Sequence, residues 1–130
     1  MVTRKIGDWS SSGAATFVRT ASCMGSAEHD EAGKRYDALC KQGSVCLGRC
    51  CLIRLPDRNI VYIPIRDMDD DPEDIVSVSQ VLLKLKRSAL DKGLGTIAFQ
   101  LPFENMDHDT IANLIALIFD EAPYEVEVWN

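Results

Sequence analysis

Short apolar runs of strand type alternate along this chain with longer segments whose apolar residues recur every three or four positions. That alternation restricts the possible folds more than any other feature. Strand-like runs span Met1–Ile6, Ala14–Thr20, Val45–Leu55 (in two halves split by Gly48), Ile60–Ile65, Thr96–Phe99 and Tyr124–Trp129. Between them lie helix-like segments. One covers Asp30–Cys40, the second carries Ile75, Val78, Val81, Leu82, Leu85 and Ala89, and the third carries Ile111, Leu114, Ile115, Ile118 and Phe119. The pattern predicts an α/β fold of three layers, α/β/α, with a mixed, largely parallel sheet between the helices.

Local chemistry supplies the boundaries. Pro56-Asp57-Arg58-Asn59 reads as a turn that returns Ile60–Ile65 beside the preceding strand as a hairpin, and Pro64, which has no ladder donor, is expected to mark where that strand leaves the sheet. The run Asp69-Asp70-Asp71 looks like a metal-binding cluster, yet Pro72 and Glu73 follow it directly. This predicts a helix start with Asp71 as N-cap, Pro72 in the first turn, and Glu73 and Asp74 at the positive end of the helix dipole. Asp107 or Asp109 is expected to cap the last helix, and Gly43, Gly93, Gly95 and Pro123 are placed to end helices.

A chain of 130 residues with 46% hydrophobic residues is expected to form one domain spanning 1–130 around a real core. Its net charge of −6 and its Lys and Arg residues, interleaved with acids, argue against direct binding to a nucleic-acid backbone. No apolar run is long enough to span a bilayer and the first residues lack the apolar core of a signal peptide, so the expected location is the cytoplasm, with no membrane partner. The five cysteines contain no CxxC pair, and only His29 and His108 are available as imidazoles. Reduced, mostly buried thiols without metal or disulfide are therefore expected, and no cofactor is implied. Cys50 and Cys51, adjacent in a strand, should point to opposite faces.

Thr16–Tyr36 carries the strongest local hint of a site: a strand, a tight loop containing Met24-Gly25, then a helix. Backbone N–H groups in such a loop either face a bound phosphate or simply connect two elements. In α/β sheets ligands bind at the carboxyl ends of strands, which here means the loops after Thr20, Ile65 and Phe99.

The order of these pieces resembles the macro domain family, whose members bind ADP-ribose. It is most similar to the branch of terminal ADP-ribose protein glycohydrolase and of the antitoxin that removes ADP-ribose from DNA. Gly7-Asp8-Trp9 stands in the place of the family's Gly-Asp/Asn-Ile turn. Val18-Arg19-Thr20 and Met24-Gly25-Ser26-Ala27 match the strand and first phosphate loop. Tyr36, Cys40, Gly43, Val45 and Gly48 follow the pattern Tyr-x-x-x-Cys…Gly-x-Val-x-x-Gly, and Ile97-Ala98-Phe99 and Val126-Glu127-Val128 match later strands. The resemblance implies a ligand site built from Asp8, Trp9, Thr20, Met24, Gly25, Ser26, Arg66 and Asn105.

The departures set the functional expectation. Arg19 replaces the strand-end asparagine, Ala27 replaces the second glycine of the first loop, and Gln100–Met106 contains no glycine while Glu104 would repel phosphate. Arg66 stands where this branch carries a lysine nucleophile, and a permanently protonated guanidinium forms no covalent adduct. The resemblance therefore implies a divergent domain that binds ADP-ribose or a related nucleotide, free or attached to protein or nucleic acid, with little glycohydrolase activity. Plainer readings stand beside it: Asp8 caps a turn, Trp9 shields the core, Arg66 pairs with local acids, and His108 starts a helix. Two other classes are open: an interaction module, viral or from a mobile element, that lost the ligand, and a hydrolase in which Asp107 or Glu104 activates water.

Overall fold

The computed structural model describes residues 1–73, 75–101 and 106–130. Six strands, β1 (Val2–Lys5), β2 (Thr16–Ser22), β3 (Cys51–Arg54), β4 (Asn59–Arg66), β5 (Ile97–Gln100) and β6 (Val126–Trp129), form one sheet. Their order is β1-β6-β5-β2-β4-β3. All neighbours run parallel except the β3–β4 hairpin, which is antiparallel. The helices are α1 (Glu31–Lys41), α2 (Ile75–Ser88) and α3 (His108–Phe119), and a 3-10 turn covers Trp9–Ser11.

The strands of the middle of the sheet alternate strictly between its two faces. Val18, Val61, Ile63, Ile65, Ile97 and Phe99 join Val81, Leu82 and Leu85 of α2 and Ile111, Ile115 and Phe119 of α3 in one core. Phe17, Ala21, Ile60 and Tyr62 face the other way and pack against Ala32 and Tyr36 of α1. The result is the expected α/β/α sandwich, α2 and α3 on one face and α1 on the other. Each fully buried Ile, Leu or Phe stabilises it by about 1.5–3 kcal/mol. Cys50 lies against the α2/α3 core and Cys51 against the α1 core, as strand alternation requires.

Four local expectations change. The half-strand 45–47 is not a strand: Gly48 takes φ 82°, a left-handed conformation that breaks a ladder, and of Val45–Leu55 only Cys51–Arg54 pairs with β4. At Pro64 the strand does not leave the sheet. Pro64 stays in register with Ala21, and the register then shifts so that Ser22 meets Arg66. The ladder absorbs the missing donor with an irregularity, while β3 already ends opposite Tyr62. Asp71 does not cap α2. Its carboxylate instead accepts from the Met68 N–H at 3.1 Å and closes a separate turn, and the helix opens at Ile75. The thiols are less buried than expected: Cys46 is exposed and the other four are half-buried. Among the described residues no helix is long and apolar enough to cross a membrane.

Candidate functional site

The chain leaves β2 toward α1 on one face, whereas its sheet neighbours β4 and β5 lead into α2 and α3 on the other. The connections therefore diverge on both sides of the carboxyl end of β2, and a crevice opens wherever adjacent connections part in this way. Two clefts occupy those positions. The first, about 540 Å³, lies on the β4 side and is lined by Thr20, Ser22, Met24–Ala27, Asp37, Lys41, Arg66 and Asp69. The second, about 330 Å³, lies on the β5 side and is lined by Trp9, Arg19, Thr20, Glu28, Gln100 and Leu101. Thr20 lines both, and each is of the size that small-molecule sites occupy.

Side chains tie the turn of the first cleft together. The Ser22 hydroxyl donates to Asp69, and Ser22 Oγ accepts from the Met24 N–H at 3.1 Å. Asp37 Oδ1 accepts from the Ser26 N–H at 2.8 Å and from its hydroxyl at 3.2 Å. The Cys23 N–H donates to the Arg66 carbonyl at 2.9 Å, joining the turn to the end of β4. Burial, followed by the neighbouring Asp67, pushes the Cys23 thiol up to about 11, so at neutral pH it is a thiol and not a nucleophilic thiolate. The Arg66 guanidinium donates to the Asp69 carbonyl at 3.2 Å and lies 3.5 Å from the Glu73 carboxylate, with both side chains about nine-tenths buried. Arg66 also lines a further cleft of about 430 Å³ with Asp71, Pro72 and Glu73, so it forms the wall between the two spaces.

A polar network closes the second cleft. Arg19 Nη1 and Nη2 hold Asp30 at 3.1 and 2.7 Å, Nη1 also donates to the Tyr62 hydroxyl at 2.9 Å, and that hydroxyl donates to Glu28 at 2.9 Å. Burial pushes the Tyr62 phenol up to about 12, so it stays a neutral donor between the guanidinium and the Glu28 carboxylate.

Neither a known family profile nor a curated protein sequence matches the chain. Solved structures do. The macrodomain of Thermus aquaticus DarG superposes with a TM-score of 0.88 at 18% identity, over 100% of this chain and 98% of that one. The macrodomain of Mycobacterium tuberculosis DarG does so with a TM-score of 0.88 at 18% identity, over 99% and 97%. Thermosipho africanus DarTG in complex with ADP-ribose gives 0.86 at 10% identity, over 98% of this chain and 41% of that chain. The fold is that of a macrodomain.

Within this fold, the residues singled out from the sequence fall into three groups. Thr20, Met24, Gly25, Ser26 and Arg66 converge on the first cleft, and Trp9 stands in the second, its ring edge-on to Phe17 at 5.2 Å. Asp8 lines neither cleft; its carboxylate caps the 3-10 turn by accepting from the Ser10 N–H at 3.0 Å, a bond that lowers its pKa. Asp107 caps α3, accepting from both the N–H and the hydroxyl of Thr110 at 3.1 Å, and these bonds hold it below the usual carboxylate range. A carboxylate so engaged is a weak base. His108 is the first residue of α3. Asn105 and Glu104 lie outside the described residues.

Asp37, Lys41 and Glu28 were not legible as site residues, whereas Gln100 stands in the loop after Phe99 and Asp69 in the acidic run beside Arg66, both marked by the sequence. One signal existed for Asp37 and Lys41: they stand four apart on α1, and Asp37 directly follows the buried Tyr36, so both border its buried face. Among the described residues no three His, Cys, Asp or Glu side chains converge as metal ligands.

Proposed function

We propose that this macrodomain is a single cytoplasmic domain that binds ADP-ribose or a related nucleotide, free or attached to protein or nucleic acid. The ligand lies across the paired clefts at the end of β2, and glycohydrolase turnover is little or none. The observation that carries the reading is the pair of clefts at the two switch points beside β2, joined at Thr20, in a fold shared with a protein solved with ADP-ribose. Trp9 offers an aromatic face in the second cleft, and Arg66 and Lys41 offer positive charge in the first. The low turnover follows from Arg66, which supplies charge and hydrogen bonds but no nucleophile. Isothermal titration with ADP-ribose tests the binding, with a saturable one-to-one isotherm expected. Release of free ADP-ribose from a modified protein or DNA tests the chemistry, and turnover near one per second, typical of enzymes, would overturn the second half of the proposal.

A second reading has an observation of its own. The turn's Met24 and Ser26 N–H groups are already satisfied by Ser22 and Asp37. That favours a scaffold kept as an interaction module after its ligand was lost, and absence of any ADP-ribose isotherm would select it.

A further inference from the structure

The first cleft contains a carboxylate where an anionic ligand would go. Asp37, in the middle of α1, reaches back to the turn and accepts from the Ser26 N–H at 2.8 Å and the Ser26 hydroxyl at 3.2 Å. It also closes over Gly25: a Cβ there would sit 3.2 Å from Asp37 Oδ1. Backbone donors at the end of a strand, opening toward a helix, are the groups that receive phosphate oxygens in α/β folds. Here an internal anion holds the Ser26 donor, and it repels any second anion that approaches. The cleft also provides an alternative partner for that carboxylate. Lys41 lies one helical turn beyond Asp37 and lines the same space, at the spacing where an acid followed by a lysine pairs well.

We infer that Asp37 is a displaceable latch on the Met24–Ser26 turn: its carboxylate occupies the backbone donor that the phosphate of a nucleoside diphosphate would take, and so sets the affinity of the first cleft. The latch rests on the proposed nucleotide-binding reading for its biological ligand, though not for its geometry. In the bound state the ligand's phosphate accepts from the Ser26 N–H, and Asp37 turns to Lys41. The cleft thereby discriminates against a lone small anion, which does not offset the loss of the Asp37 bonds, and favours a ligand that also engages the second cleft through Trp9 and Arg19.

The test uses inorganic pyrophosphate as probe and the Ser26 amide as reporter, by NMR titration of the native chain, Asp37→Asn and Asp37→Ala. Asp37→Asn keeps an acceptor for Ser26 and guards against loss of the turn in the alanine variant; thermal melts establish that each is folded. Removing a charge-assisted bond that competes with the ligand should tighten pyrophosphate binding at Ser26 by about tenfold or more in Asp37→Ala, with a smaller gain in Asp37→Asn. Folded variants that bind pyrophosphate no more tightly than the native chain overturn the latch. ADP-ribose titrated in parallel separates the two claims. If no form binds ADP-ribose while pyrophosphate gains, the latch stands and the nucleotide reading fails. If the native chain binds ADP-ribose and neither substitution tightens either ligand, the reverse holds.

Discussion

Arg19 grips Asp30 with both terminal nitrogens, at 3.1 and 2.7 Å, while the same carboxylate caps α1 by accepting from the Gly33 N–H at 2.9 Å. One carboxylate thus joins the end of β2, where the two clefts meet, to the start of the helix that carries Asp37.

This pair has a pH signature. The Arg19 bond, opposed by burial and helped by the Gly33 N–H, holds Asp30 at about 2, against an ordinary 3.8. A lowered folded pKa means that the contribution is fully present above 3.8 and is lost as pH falls toward about 2. Asp30→Ala should therefore cost about 1–2 kcal/mol at pH 7, the scale of a lost cap, and the gap from the native chain should close on acidification. Urea midpoints at pH 7 and pH 2.5 check this, and a gap that stays constant across that range would contradict it.

Gly33→Ala should destabilise the chain although alanine is the better helix former. A Cβ at Gly33 would lie 2.3 Å from the Glu28 carbonyl oxygen, a backbone atom that cannot turn aside. Overpacking of this kind costs about 1–3 kcal/mol or more, against roughly 1 kcal/mol gained in propensity. Gly13→Ala, with nothing within 4 Å of the new carbon, is the control and should be neutral or slightly stabilising. Denaturant midpoints of the two variants should move in opposite directions or differ clearly in size.

Tyr36→Phe should loosen the turn of the first cleft from inside the core. The Tyr36 ring is fully buried and stacks on Tyr62 at 4.4 Å, and its hydroxyl donates to the Ser22 carbonyl at 2.6 Å. Loss of that donor should cost about 1–3 kcal/mol, because the buried carbonyl loses its bond. Faster hydrogen exchange at the Met24 and Ser26 amides, relative to the α3 amides, would place the effect at the turn; uniform acceleration would count against it.

Arg66→Ala should weaken ADP-ribose binding by about 1–3 kcal/mol, the scale of a hydrogen bond to a charged group, read by calorimetry. Unchanged affinity would mean that Arg66 serves the fold, through contacts that include the Asp69 carbonyl and Glu73, and not the ligand. Arg66→Lys should restore no measurable release of ADP-ribose, since a lysine amine alone supplies neither the positioning nor the loop donors that the reaction needs.

Much of the architecture was legible because it depends on local rules. Apolar periodicity located the three helices and six strands of the described residues to within a few residues, with one half-strand in excess, and Asp107 caps the last helix as a short polar side chain before an apolar run does. The failures arose where neighbours override local preference. Val45 and the residues beside it have strand-forming side chains, but Gly48 turns the backbone away, so pairing with β4 stops at Cys51 although β4 itself runs on to Arg66. Asp71 has an N-cap's sequence context, yet the chain spends it on Met68.

By itself the sequence determined the layers: which side chains must be buried, at which period, and hence that helices cover both faces of a largely parallel sheet. It also determined that position 66 carries a permanent positive charge. Only the tertiary structure decided what the site residues do. Ser26 meets Asp37 across 11 positions, Arg19 meets Tyr62 across 43 and Ser22 meets Asp69 across 47. Sheet order sets those meetings, and hydrogen bonds act over a few ångströms in space whatever the distance along the chain. A carboxylate that reads as helix surface in the sequence therefore becomes, once α1 lies beneath the end of β2, the group that holds the turn.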